Sequence, residues 1–140
     1  MKFFETKKLF QAEIENIPLI RNWIIEQIKI ADKQLPFIDD LKSAISEALT
    51  NIALYAYSAE QSKPLTITVM LDAEKVTIIF QDKGTPADFR NYVPPDLENP
   101  KEGGYGIFLM HRLMDGIQYN FDDDGTTLVM WKSRIENEEK

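Results

Sequence analysis

The chain has 140 residues, 44% of them hydrophobic and 28% charged, which suits one domain over residues 1–140 with a sizeable core and no need of disulfide or metal staples. Its 23 Asp and Glu against 16 Lys and Arg give a net charge of -7, which argues against nucleic acid and anionic membrane as partners. With no Cys and a single His, His111, thiol nucleophiles, zinc ribbons and multi-His metal sites are excluded, and a Ser-His-Asp triad would have to use that one imidazole.

In chain order, the N-terminus lacks the apolar run of a signal peptide, and nowhere do 18 apolar residues follow one another, so a cytoplasmic protein is expected. Residues 3–14 mix Phe4, Leu9, Phe10 and Ile14 with Lys and Glu and read as an edge strand. Pro18 suits a first helical turn, and Ile17, Ile20, Ile24 and Ile28 recur at helical spacing through about Lys33. After Pro36 a second helix is predicted from Phe37 to Tyr57, with Leu41, Ile45, Leu49, Ile52 and Ala56 on its apolar side.

Leu65, Ile67, Val69 and Leu71, then Val76, Ile78 and Phe80, alternate with their neighbours across the turn-like Asp72-Ala73-Glu74-Lys75 and predict two antiparallel strands. Gly84, Gly103 and Gly104 with Pro86, Pro94, Pro95 and Pro100 make residues 83–104 a loop, of a length that is usually functional or disordered. A short helix over Tyr105–Met114 follows, then a hairpin of Ile117–Phe121 and Thr126–Trp131 around Asp123-Asp124-Gly125. The order predicts an α+β, two-layer sandwich: a mixed, mostly antiparallel sheet with helices on one face. His111 reads as a partly exposed helix residue, and Trp23 and Trp131 as core.

Four short segments carry polar or glycine-rich patterns. On the second helix Glu47, Asn51 and Tyr55 form a stripe opposite the apolar side, which an ordinary solvated helix face also explains. Counting by twos from Val76 puts Asp82 on the apolar face of its strand. There the carboxylate either caps the following glycine turn or fixes a donor such as an amine on a flat heterocycle. Gly103, Gly104 and Gly106 open an apolar helix, which makes either a hinge or a phosphate-binding helix N-terminus. Gly125-Thr126-Thr127 is either a hairpin turn or a source of a pocket hydroxyl.

The order of the four resembles the GHKL ATP-binding superfamily with its Bergerat fold, and within it the small stand-alone anti-sigma factor serine kinases. Ser46-Glu47-Ala48-Leu49-Thr50-Asn51 with Tyr55-Ala56-Tyr57 is similar to the N box, and Asp82-Lys83-Gly84-Thr85-Pro86 to the G1 box. Gly103-Gly104-Tyr105-Gly106-Ile107 is similar to the G2 box, and Gly125-Thr126-Thr127 to the G3 box. Tyr55 stands where many relatives have histidine, Pro86 replaces a glycine, and the short stretch between the second and third boxes implies a small lid.

The resemblance implies ATP and Mg²⁺ as cofactors, with Asn51 as metal ligand, Asp82 as acceptor of the adenine amine and Glu47 as general base. It assigns Thr126 to the adenine end through water, and Gly104 and Gly106 to wrapping the phosphates. Gly84, Tyr105 and Ile107 complete the cofactor-binding set. The implied activity is transfer of the γ-phosphoryl to a serine of a STAS-type anti-anti-sigma partner by a protein that also sequesters a sigma factor; the alternative is an ATP-binding switch that docks and transfers nothing. Dimers are common in that family, so a homodimer is implied too, although no face of the sequence shows an unambiguous seam.

Overall fold

Strand alternation builds one sheet whose two faces differ sharply. The computed structural model describes residues 3–57, 62–84 and 105–134. In them β1 (Phe4–Gln11), β2 (Pro64–Leu71), β3 (Lys75–Asp82), β4 (Gly116–Asp122) and β5 (Gly125–Ser133) lie in the order β1-β2-β3-β5-β4. Every pairing is antiparallel, so the sheet is antiparallel throughout the described residues rather than mixed. The reason is topological: β3 and β4 point the same way, but β5 folds back between them and keeps the two parallel strands apart.

The helices α1 (Ile17–Ala31), α2 (Ile38–Asn51) and α3 (Tyr105–Leu113) cover the face on which Leu65, Ile67, Val69 and Leu71 meet Val76, Ile78 and Phe80. α1 and α2 each bury a stripe at three- and four-residue spacing: Ile20, Ile24 and Ile28 from α1, and Leu41, Ala44, Ile45, Ala48 and Leu49 from α2. α2 packs between the other two helices. Lys132 of β5 ties the layers together, donating to the Leu113 carbonyl at the end of α3 over 2.6 Å and lying over the Phe37 ring before α2.

Trp23 packs edge-on against Phe10 at the rim of the core. Trp131 departs from the expectation. It is out of phase with Leu128 and Met130 and lies half-buried on the opposite face, where a Cβ on Gly116 would collide with its indole. His111 is exposed, as predicted. No helix among the described residues is long and apolar enough to cross a membrane.

Candidate functional site

The helix-facing side of the sheet turns polar at one end. The register aligns Phe10, Leu65, Asp82, Thr126 and Phe121 in one row, and Ile67, Phe80, Leu128 and Tyr119 in the next. Asp82 and Thr126 therefore sit side by side on an otherwise apolar surface, each only 7% exposed. The Oδ1 of Asp82 accepts from the backbone N–H of Gly84 at 3.1 Å and of Thr126 at 3.4 Å. Asp82 thus caps its glycine turn through one oxygen, leaving the other free of hydrogen bonds among the described residues. Burial raises its carboxyl above the usual range, and the two amide bonds oppose that less strongly.

Above this row α2 does not continue to Tyr57 as predicted. It ends at Asn51 and gives way to a π-helical turn, Ile52–Ala56, a widening often found at functional sites. Ala48, Asn51, Ile52 and Ala56 from this stretch close over Asp82, Thr126, Leu128 and Tyr119, leaving a space of about 20 Å³. That is room for about one water molecule. Two polar atoms on its walls, Asn51 Nδ2 and Thr126 Oγ1, are buried without a partner among the described residues. Such atoms are costly unless something bonds them. Burial also pushes the phenol of Tyr119, at the cavity wall, up to about 12.

Two glycines make the site possible by having no side chain. A Cβ on Gly84 would collide with the Ala56 carbonyl, which lets the turn after Asp82 lie directly on the π turn. Gly125 has φ +140°, and a Cβ there would collide with the Asp82 carbonyl. Gly125→Ala is expected to destabilise the protein by about 2 kcal/mol or more, because backbone strain and overlap add; urea unfolding measures it.

Glu47 lies on an adjoining side of α2. Its Oε2 occupies the place a Cβ on Gly106 would take, at the start of α3. It lines a separate, open hollow of about 450 Å³ with Arg21, Lys42, Ser43, Ser46 and Leu109. Arg21 Nη1 donates to Ser46 Oγ at 3.3 Å within it. The structure thus joins Asn51, Asp82 and Thr126 in one cavity with Gly84 beside them, and sets Glu47 against Gly106 next door. Ile107 is half-buried against the core. Gly104 lies outside the described residues, as does the stretch expected to form the lid.

Sequence reasoning missed Tyr119, Leu128 and Ala48 as lining and Tyr57 as a bonding residue. Only the Tyr119–Leu128 pairing across β4 and β5 could have placed the tyrosine here.

Residues 10–132 match the family described as the histidine kinase-like ATPase domain. The serine-protein kinase RsbW of Bacillus cereus is 36% identical over 113 residues, covering 72% of this chain and 69% of the relative. The protein of the same name from Listeria monocytogenes is 33% identical over 103 residues, covering 68% of this chain; the chain spans 65% of that relative's length. A solved structure of the RsbU and RsbW domains of a Mycobacterium tuberculosis protein has the same fold, with a TM-score of 0.67 at 18% identity, covering 92% of this chain and 32% of that one. By these matches the chain belongs to the histidine kinase-like ATPase domain family, among the relatives of the RsbW serine-protein kinases.

Proposed function

We propose that residues 1–140 form a single cytoplasmic ATPase-type domain that acts as an ATP-dependent serine kinase and anti-sigma factor, phosphorylating a STAS-type anti-anti-sigma protein. The observation that carries this reading is the convergence of Asp82, Thr126 and Asn51 on one cavity with two buried, unbonded polar atoms. The donor set fits adenine and phosphate. Asp82 offers an acceptor to the exocyclic amine, Thr126 adds a hydroxyl beside it, and apolar walls flank the ring. The amide oxygen of Asn51 would hold Mg²⁺, a cation that takes few protein ligands beside phosphate oxygens, and its buried, unbonded Nδ2 would donate to a phosphate oxygen.

When bound, Mg²⁺ neutralises phosphate charge. The chain's own residues do the rest. Asp82 and Thr126 hold the base, and Gly106, with no side chain, lets the Glu47 carboxylate stand at the start of α3. Glu47 accepts the proton of the partner's serine hydroxyl as the serine oxygen bonds to the γ-phosphorus and the bond to the β-phosphate oxygen breaks, releasing ADP. The hollow around Glu47 is open, which suits a serine presented on another protein. The acidic exterior remains available for the sigma factor and the STAS protein, and a homodimer is part of the proposal.

Incubation with labelled ATP, Mg²⁺ and candidate STAS proteins tests this reading, and label on a serine is the expected result. Nucleotide binding without label on any partner would favour the silent switch. Asn51→Ala is expected to weaken Mg-ATP by about tenfold while changing metal-free ATP far less. Calorimetry with and without Mg²⁺ measures the difference, and equal losses would remove Asn51 from the metal site.

A further inference from the structure

We propose that Tyr57 is a positioning residue for adenine recognition, its hydroxyl setting where Asp82 stands by bridging the end of the β2–β3 ladder; this rests on the reading of Asp82 given above. The register pairs Leu65 with Asp82, so the next rung would join Pro64 to Lys83. That rung is not made directly. The Lys83 N–H donates to Tyr57 Oη at 2.6 Å, and Tyr57 Oη donates to the Pro64 carbonyl, also at 2.6 Å. The directions are forced, because an amide N–H only donates and a carbonyl only accepts. One phenolic oxygen therefore stands between the strands immediately beyond Asp82.

Three further observations support a positioning role over simple packing. Tyr57 is 8% exposed and its ring belongs to the core, so the ring holds itself in place and the hydroxyl is free to act as a spacer. Immediately before it, the Ala56 carbonyl lies against Gly84, which anchors the same turn a second time. The phenol also senses Asp82: burial raises it most, the Lys83 amide lowers it, and the Asp82 charge raises it again. Without the hydroxyl, Lys83 N–H and the Pro64 carbonyl can close on each other. The end of β3 then moves toward β2, away from Thr126, whose bond to Asp82 is already long at 3.4 Å.

The test compares ATP with purine riboside triphosphate, which differs only in lacking the 6-amino group, by calorimetry on the parent and on Tyr57→Phe. The parent is expected to prefer ATP by about tenfold or more, the effect of one hydrogen bond to a charged acceptor. Tyr57→Phe is expected to lose most of that preference while binding the amine-free analogue within about twofold of the parent. A variant that keeps the parent's preference, whether both affinities hold or fall together, would overturn the positioning role and leave the Asp82 reading standing. A parent with no preference would overturn the Asp82 reading itself, and this inference with it. Should Tyr57→Phe fail to fold, amide exchange on the parent decides: a strongly protected Lys83 N–H is expected, and exchange at the rate of a free loop amide would overturn the bridge.

Discussion

Glu47→Ala is expected to lower phosphate transfer to the partner's serine by a hundredfold to about ten-thousandfold, the contribution of a positioned general base. ATP affinity should stay within about threefold of the parent. The separation follows from geometry. Glu47 is not among the residues that line the cavity with Asp82, Asn51 and Thr126; it faces the start of α3 and the open hollow beside Arg21 and Lys42. Glu47→Gln removes the base with almost no change of shape and should lose transfer as fully. Single-turnover transfer at saturating ATP measures both variants, and an unchanged rate in either would take the base role away from Glu47.

Asp82→Asn is expected to reduce ATP affinity by about tenfold to a hundredfold, because an amide nitrogen would face the adenine amine where a charged acceptor stood. The same substitution should stabilise the protein without nucleotide at neutral pH. The sign follows from the raised carboxyl. Above its folded value the parent carries a buried charge that the unfolded chain would hydrate, whereas below the unfolded value both states are protonated and the cost is gone. Parent stability attributable to this group therefore falls as pH rises through the window between the two values. The asparagine keeps an oxygen for the Gly84 and Thr126 amides and carries no charge. Urea melts over a pH series should show the variant's advantage shrinking as pH falls through that window; an advantage that grows on acidification would contradict the buried charge.

The local periodicities were readable from the residues. Alternation from Val76 to Phe80 placed Asp82 on the inner face, and the spacing of Ile20, Ile24 and Ile28 placed α1. What could not be read was long-range. Nothing in residues 83–134 says that β5 inserts between β3 and β4, and that insertion alone makes the sheet antiparallel and brings Thr126 beside Asp82. The π turn after Asn51 has no marker either, since Ile52-Ala53-Leu54-Tyr55-Ala56 suits a plain helix. Trp131 is different: it is out of phase with Leu128 and Met130 on β5, which turns its ring away from the helices. The proposed roles of Glu47, Asn51 and Asp82 came from family likeness, while the structure supplied their neighbours.

Backbone amide spectra recorded during an ATP titration test the shared pocket most directly. The expected shifts cluster at residues 47–52, 82–84, 106–107 and 125–126, four segments far apart in sequence that move together at one nucleotide concentration. The groove lined by Asn22, Glu26, Lys29 and Lys33 should stay silent. Shifts centred on those lysines, with Asp82, Gly84 and Thr126 unmoved, would contradict an ATP site built from Asn51, Asp82 and Thr126.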